Sequence, residues 1–448
     1  MSNLKIYQSN GADQLFIQKE AAELATDATC TTVDIKVDAS KTYQTMDGFG
    51  GSFTDSAAYL INQILDEDVK DELMKKLFDH EAGIGISVVR NPMGASDFAR
   101  TVYSYNELPA GETDYEQEKF SIAHDLEDVI PLSQQALSIN PDVKFMASPW
   151  SAPNWMKTTH SMIAGQLKEE CYGAFAKYFV KYIEAYGENG LPIYAVTPQN
   201  EPLYEPTHYP SMLMHAYEQA EFIKKHLKPA FVEKDIQTKI LCYDHNWDRP
   251  DYPLHVIDED VDAIDGVAWH WYGGKPVAQT QVLMAYPDKE VHFTEGSGGE
   301  WVPAFEPAFS NLLRTGIEIL RNNSQSFVLW NMALDEENGP TVPGFGRSTC
   351  RGIVQINQKT KELSYTLDYY GLAHFSKFIK PKAIRIDSTS DTEVRTVAFK
   401  NPDDTIAIVV LNDSEQDQNI RILLADTEVI HHYAPSKSAM TIVYDDSH

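Results

Sequence analysis

The segment Ile193-Tyr194-Ala195-Val196-Thr197-Pro198-Gln199-Asn200-Glu201-Pro202 begins as a short apolar run and stops at two prolines, with an Asn-Glu pair at its end. Such a run fills a buried strand, and the prolines end it. A carboxylate beside a carboxamide at the mouth of a buried parallel strand is costly unless a ligand or partner uses it. A second stretch, Glu290-Val291-His292-Phe293-Thr294-Glu295-Gly296, has the same design. Two glutamates, each closing a strand, are the residue types that glycoside hydrolysis by a carboxyl pair requires.

Outward from these two stretches, apolar strand candidates alternate with amphipathic segments. The strand candidates are 48–53, 84–90, 144–149, 193–198, 239–243, 266–271, 291–294 and 327–330. Helical patterns fall at 69–78, 127–138, 172–186, 212–227 and 309–320. Eight β–α alternations predict a (β/α)8 barrel over 47–379, with the glutamates after strands four and seven. Beyond a linking helix at 367–378 the chain turns β-like, at 392–399, 405–411, 418–423, 429–432 and 440–444. Residues 380–448 are therefore expected to form a β-sandwich. The early β-type runs of 1–46, at 15–17 and 31–37, are expected to join it, making that domain discontinuous.

Composition narrows the function. The 448 residues are 43% hydrophobic and 11% aromatic, as in a packed globular protein. With 66 acidic against 37 basic residues the net charge is −29, which disfavours nucleic acid and anionic membranes as partners. No apolar run approaches the roughly 18 residues that span a bilayer. Met1-Ser2-Asn3-Leu4-Lys5 shows no export signal, so a cytoplasmic protein is expected. Cys30, Cys171, Cys242 and Cys350 form no C-x-x-C pair, which argues against zinc and for free thiols.

Retaining hydrolysis needs one carboxylic acid for the leaving oxygen and one carboxylate for the anomeric carbon, about 5–5.5 Å apart. Strands four and seven face each other across a barrel. Glu201 is assigned as general acid/base and Glu295 as nucleophile, with Glu201 kept protonated by partial burial and by the Glu295 charge. Taken singly, either glutamate would be read as an ion-pair partner; at these two strand ends the pair reads as catalytic. Asn200 is placed to bond the hydroxyl next to the anomeric carbon. Strands three, six and eight end in Trp150, in Trp269-His270-Trp271-Tyr272 and in Trp330, either core aromatics or a platform for sugar faces. His270 lacks a second histidine at ligand spacing, which favours an orienting role. Arg90 is either a structural ion-pair partner or the cation that holds Glu295 charged. Asp97, in the loop after strand two, is positioned for remote hydroxyls. Gly48-Phe49-Gly50-Gly51 lacks both phosphate-loop patterns, which leaves tight packing near the barrel mouth.

These motifs resemble those of glycoside hydrolase family 30 in clan A, a family that includes acid glucosylceramidase and bacterial β-glucosidases and β-xylosidases. The resemblance runs through Asp47-Gly48-Phe49-Gly50-Gly51, Arg90-Asn91-Pro92-Met93, Ser96-Asp97-Phe98, Ala147-Ser148-Pro149-Trp150, the Asn200-Glu201-Pro202 stretch, His270-Trp271-Tyr272, Glu295, Trp330-Asn331 and His374-Phe375-Ser376-Lys377-Phe378-Ile379. It implies a barrel with a β-sandwich and a double displacement without metal or organic cofactor. It also implies Asp97, Trp150, Asn200 and Trp330 at the non-reducing sugar, with His270 and Tyr272 near the nucleophile. The loops 296–305 and 338–349 depart from the family and are expected to shape the leaving-group side. Together these readings predict a retaining exo-β-glycosidase of small β-glucosides, with β-xylosides as a second class. The alternative is an endo-acting β-1,6-glucanase or xylanase; a non-catalytic carbohydrate-binding protein ranks below both.

Overall fold

The computed structural model describes residues 4–19, 31–302, 305–424 and 429–445. Eight parallel strands close into a barrel: Gly48–Ser52, Val88–Pro92, Lys144–Ser148, Ile193–Val196, Lys239–Asn246, Gly266–His270, Glu290–Glu295 and Ser326–Asn331. Closure comes where strand eight pairs with strand one, Ser326 opposite Gly48. Inside, Val88, Met146, Ala195, Leu241, Ala268 and Val328 form one apolar layer, so the barrel is a packed core rather than a pore. The helices outside it bury apolar stripes. Phe305–Arg321, for instance, buries Phe309, Leu312, Leu313, Gly316, Ile317 and Leu320.

The glycines of strand one serve the barrel wall from the floor up, not the mouth alone. A Cβ on Gly50 would stand 1.6 Å from the Val88 carbonyl oxygen, so only glycine lets strands one and two approach this closely. Below the apolar layer, Asp47 accepts from the Tyr194 hydroxyl at 2.7 Å and pairs with Lys144. That end is polar and tied down, which leaves the opposite end for function.

Two elements differ from the sequence reading for local reasons. Strand two starts at Val88 rather than at residue 84. Gly85 takes φ +67°, and the amides of Ile84 and Ile86 donate to Lys76 and Leu77 at the end of helix Glu67–Phe78. The helix expected from residue 212 begins at Ala216, where Glu218 caps the His215 amide at 2.7 Å. It then widens into a π turn, Ile223–Leu227, ahead of Pro229, which has no amide hydrogen to donate. The helices Asp251–Glu259 and Val277–Ala285 and the strand Ile384–Ser388 were not legible as separate elements.

After helix Leu367–Ser376 the chain builds the second β-layered unit. Strand Thr31–Thr45 pairs with both Ile384–Ser388 and Gln418–Leu423, and Lys5–Ser9 pairs with Ala439–Asp445. Early and late strands thus share one sheet over a core of Ile6, Ile35, Ile386, Ile408, Ile420 and Ile442. Burial pushes His374 down to about 3, so its neutral ring bridges Ser9 Oγ at 2.8 Å and Thr441 Oγ1 at 2.9 Å, fastening the helix to the sheet. Cys171, Cys242 and Cys350 are free thiols, and Cys30 lies outside the described residues. No helix among the described residues is long and apolar enough to cross a membrane.

Candidate active site

At the C-terminal end of the barrel lies a cavity of about 410 Å³. Of the residues singled out in the sequence, Asp97, Trp150, Asn200, Glu201, Tyr272, Glu295 and Trp330 line it. Arg90 and His270 stand behind this lining, fully buried, where they hold the lining side chains. One carboxylate oxygen of Glu201, one of Glu295 and one ring nitrogen of His270 lie within 4.8 Å of one another. An approach this close fits the carboxyl spacing that retaining hydrolysis uses, where an inverting pair leaves room for a water between its carboxyls.

Behind the lining, the polar network converges on Asp244, a residue that the sequence reading passed over. Its Oδ2 accepts from Arg90 at 2.7 Å, Ser148 at 2.8 Å and Thr197 at 2.7 Å. Its Oδ1 accepts from Thr294 at 2.7 Å and meets His270 Nε2 at 2.9 Å. Side chains from strands two, three, six and seven, and Thr197 just past strand four, therefore meet at the buried carboxylate that strand five carries. Arg90 and His270 hold Asp244 well below the usual carboxylate range despite its burial. The backbone makes this possible through a bulge: Tyr243 and Asp244 take φ +76° and +66°, and the register shifts before His245. Glu201 too adopts φ +43°, its amide donating to the Asp244 carbonyl at 3.0 Å. Left-handed backbone at a non-glycine residue costs energy and recurs where side chains must be aimed. A strand that ends Tyr243-Asp244-His245-Asn246 was the available signal, a run of polar side chains closing an otherwise apolar strand.

Arg90 distributes its donors over three acceptors. Nη1 donates to Glu295 Oε2 at 2.9 Å, and Nη2 donates to Asn200 Oδ1 at 2.8 Å besides Asp244. With its oxygen engaged, Asn200 is left with its NH2 as the group it can offer a sugar. Tyr272 donates to the other Glu295 oxygen, Oε1, at 3.0 Å. His270 Nδ1 meets Glu201 Oε1 at 3.2 Å. Burial works against a charged His270, yet Glu295, Asp244 and Glu201 outweigh it and raise the ring to about 9. Glu201, His270 and Glu295 also have the spacing of a metal-ligand set, and a metal there would have to displace the proton that the surrounding carboxylates favour on the ring. The charged ring itself supplies the cation at that point.

Two cations, Arg90 and His270, thus face four carboxyls. Asp97 is pushed well above its ordinary range by burial and by the charges of Glu295 and Glu201, and its Oδ1 has no protein partner. It stands ready for a hydroxyl. The two glutamates are pulled in opposite directions. Burial and the Glu201 charge raise Glu295 against His270 and Arg90; for Glu201 the His270 contact overcomes burial and lowers it. Partial burial and the Glu295 charge favour a proton on Glu201, as the sequence leads one to expect, and the structure adds His270 at 3.2 Å, which opposes it.

The aromatic residues also divide differently than expected. Trp150 and Trp330 stack on each other, centroids 4.8 Å apart, and each is 3% exposed. Arg90 lies over both rings at 5.0 and 5.8 Å. They form a stiff wall rather than open platforms. Trp269 is buried core, and Trp271 turns away against Phe293 and Phe327. The mouth is completed by residues that the sequence reading did not single out, Tyr204, His208, Tyr209, His245, Asn246, Phe345 and Cys350. Phe345 comes from the segment 338–349, whose pattern departs from the family, and Cys350 follows directly after it.

Comparison with known proteins agrees with this geometry. Residues 46–379 match the model of the glycosyl hydrolase family 30 TIM-barrel domain, and 382–442 match that of the family 30 beta sandwich domain. An endo-1,6-β-D-glucanase of Aspergillus fumigatus is 31% identical over 428 residues, covering 89% of this chain and 85% of that protein. The lysosomal acid glucosylceramidase of Mus musculus is 29% identical, covering 90% and 82%. Among solved structures, the endo-β-1,6-glucanase BT3312 superposes with a TM-score of 0.88 at 30% identity, over 99% of this chain and 100% of that one. The chain belongs to glycosyl hydrolase family 30 and is a glycoside hydrolase.

Proposed function

We propose that this enzyme hydrolyses β-1,6-linked glucan at internal bonds, with retention of configuration. The reading rests on the approach of Glu201 and Glu295 to within 4.8 Å under an aromatic-walled cavity. Linkage and endo action are supported by the 1,6-β-glucanases, which resemble this chain over most of its length. These relatives favour what the sequence alone ranked as the alternative to an exo-β-glucosidase.

In the first step Glu295 attacks the anomeric carbon while Glu201 gives its proton to the leaving oxygen, and a glycosyl ester of Glu295 forms. In the second, Glu201 takes a proton from water, which attacks the same carbon and frees Glu295. The first step needs a proton on Glu201 when the sugar is seated; once that proton has been given away, the second step starts from the Glu201 carboxylate. Seating the sugar favours the proton on Glu201, because the leaving oxygen arrives as an acceptor beside it. Arg90, which can only donate, and the protonated Tyr272 phenol then hold the charge on Glu295. Asn200 offers its NH2 to the hydroxyl next to the anomeric carbon, and Asp97 takes a remote hydroxyl.

The similarity to glucosylceramidase, at 29% identity over 90% of the chain, favours a second reading, exo-cleavage of terminal β-glucosides. Timed product analysis on β-1,6-glucan separates the two. Short oligomers of mixed length appearing first support the proposal. Glucose as the sole early product, with fast turnover of aryl β-glucosides, establishes the exo reading instead.

A further inference from the structure

The glycine-rich loop after strand seven has no part in the chemistry above, yet it is built to hold particular side chains. A Cβ on Gly296 would stand 2.5 Å from the Trp271 ring, one on Gly298 2.2 Å from Arg351 Nη2, and one on Gly299 2.1 Å from the Trp301 ring. Each glycine thus makes room for a side chain that lines a second cavity, of about 630 Å³, beside the first. Arg351 is held there by Asp368 at 2.8 Å. Tyr272 lines both cavities. Beyond the second cavity lies a third, of about 370 Å³, sharing Val302, Asn311 and Arg314 with it and ending at Glu415 and Lys437 of the β-layered unit. Arg314 donates to Asp413 at 2.6 and 2.7 Å, and Lys437 donates to the Asp413 carbonyl at 2.6 Å, so the two domains are joined under this track.

We infer that these cavities form one groove binding the leaving-group side of a β-linked glucan chain several units long, with Trp301 as its stacking residue. Continuity through Tyr272, which donates to the nucleophile, puts the near end of the groove at the bond being cut. Trp301 is 54% exposed and Tyr272 43%, and with Trp271 they present aromatic surface to the track. Pyranose rings offer an apolar C–H face to such surface and hydroxyls to polar edges, here Asn311, Arg314 and Arg351. A neutral chain also enters without opposition from the net charge of −29. The inference rests on the proposal of a glucan substrate, but does not need the 1,6 linkage.

The test is calorimetric titration of Glu295→Gln protein, with and without Trp301→Ala, using dimers and hexamers of β-1,6-, β-1,4- and β-1,3-linked glucose. The hexamer of one linkage should bind about tenfold more tightly than its dimer, the worth of one good aromatic contact, and Trp301→Ala should remove that gain while leaving the dimer within about twofold. A gain for the β-1,6 hexamer supports groove and linkage together; a gain confined to another linkage supports the groove and overturns the linkage. Hexamers no better than dimers, or a Trp301→Ala loss equal for both, overturn the groove, whatever the wild type cleaves. The same ratio read from KM values of wild type and Trp301→Ala needs no Glu295 variant.

Discussion

Replacing Asp244 by asparagine keeps its shape and removes its charge, which makes it a sharp probe of the network. Oδ2 now receives hydrogen bonds from Arg90, Ser148 and Thr197, and Oδ1 from Thr294 and His270. Hydroxyls can turn to accept, and His270 can become an acceptor by losing its Nε2 proton, but Arg90 cannot. The asparagine will therefore keep its oxygen toward Arg90 and point its NH2 at His270. Arg90 then retains only Glu295 as a charged partner in a site closed to water. Breaking a buried pair from one side costs about 3–5 kcal/mol, a large fraction of the 5–15 kcal/mol typical of folded proteins. Activity falls as well, because Arg90 positions Glu295 and a displacement of about 1 Å costs roughly a hundredfold in rate. Urea unfolding, kcat on an aryl β-glycoside and NMR titration of His270 measure the three effects. The expectation is a stability loss in that range, a kcat loss near two orders of magnitude and a His270 pKa below about 9. A loss under about 1 kcal/mol with kcat and the His270 titration unchanged would refute the role assigned to Asp244.

Glu201→Gln should slow hydrolysis of substrates with poor leaving groups by about 10²–10⁴ while barely affecting ester formation from activated aryl glycosides, which need no proton. Equal losses on both would remove Glu201 from the acid role, as leaving-group series on the variant will show. His270 supplies a pH-dependent part of the stability. Its folded value, about 9, lies above the ordinary 6.5, so its contribution is complete below about 6.5 and lost as pH rises through 9. The stability gap between wild type and His270→Gln should accordingly shrink by about 3 kcal/mol across that window, at 1.36 kcal/mol per pKa unit; a constant gap would contradict a charged ring at neutral pH.

The barrel was legible because buried parallel strands are short apolar runs at regular spacing, and each of the eight candidates overlaps a barrel strand, the second by its last three residues. Glu201 and Glu295 stood out because two carboxylates closing strands that face each other across a barrel fit a paired role better than two separate ion pairs. For Asp244 the polar end of strand five was a signal, but its inward direction depends on a bulge and a positive φ that the apolar pattern does not record. The mutual stacking of Trp150 and Trp330 was hidden for a similar reason, as the contact joins strands three and eight across the barrel mouth. The proton preference of Glu201 depends on a 3.2 Å contact with His270, which no one-dimensional reading supplies.

The most direct test of the central claim is to trap the intermediate. A 2-deoxy-2-fluoro-β-glucoside with a good leaving group slows breakdown of the ester more than its formation, and peptide mass spectrometry then finds the labelled residue. The account predicts a glycosyl ester on Glu295. An ester on Glu201, or turnover of the natural bond with inverted configuration and no ester on any residue, would contradict it.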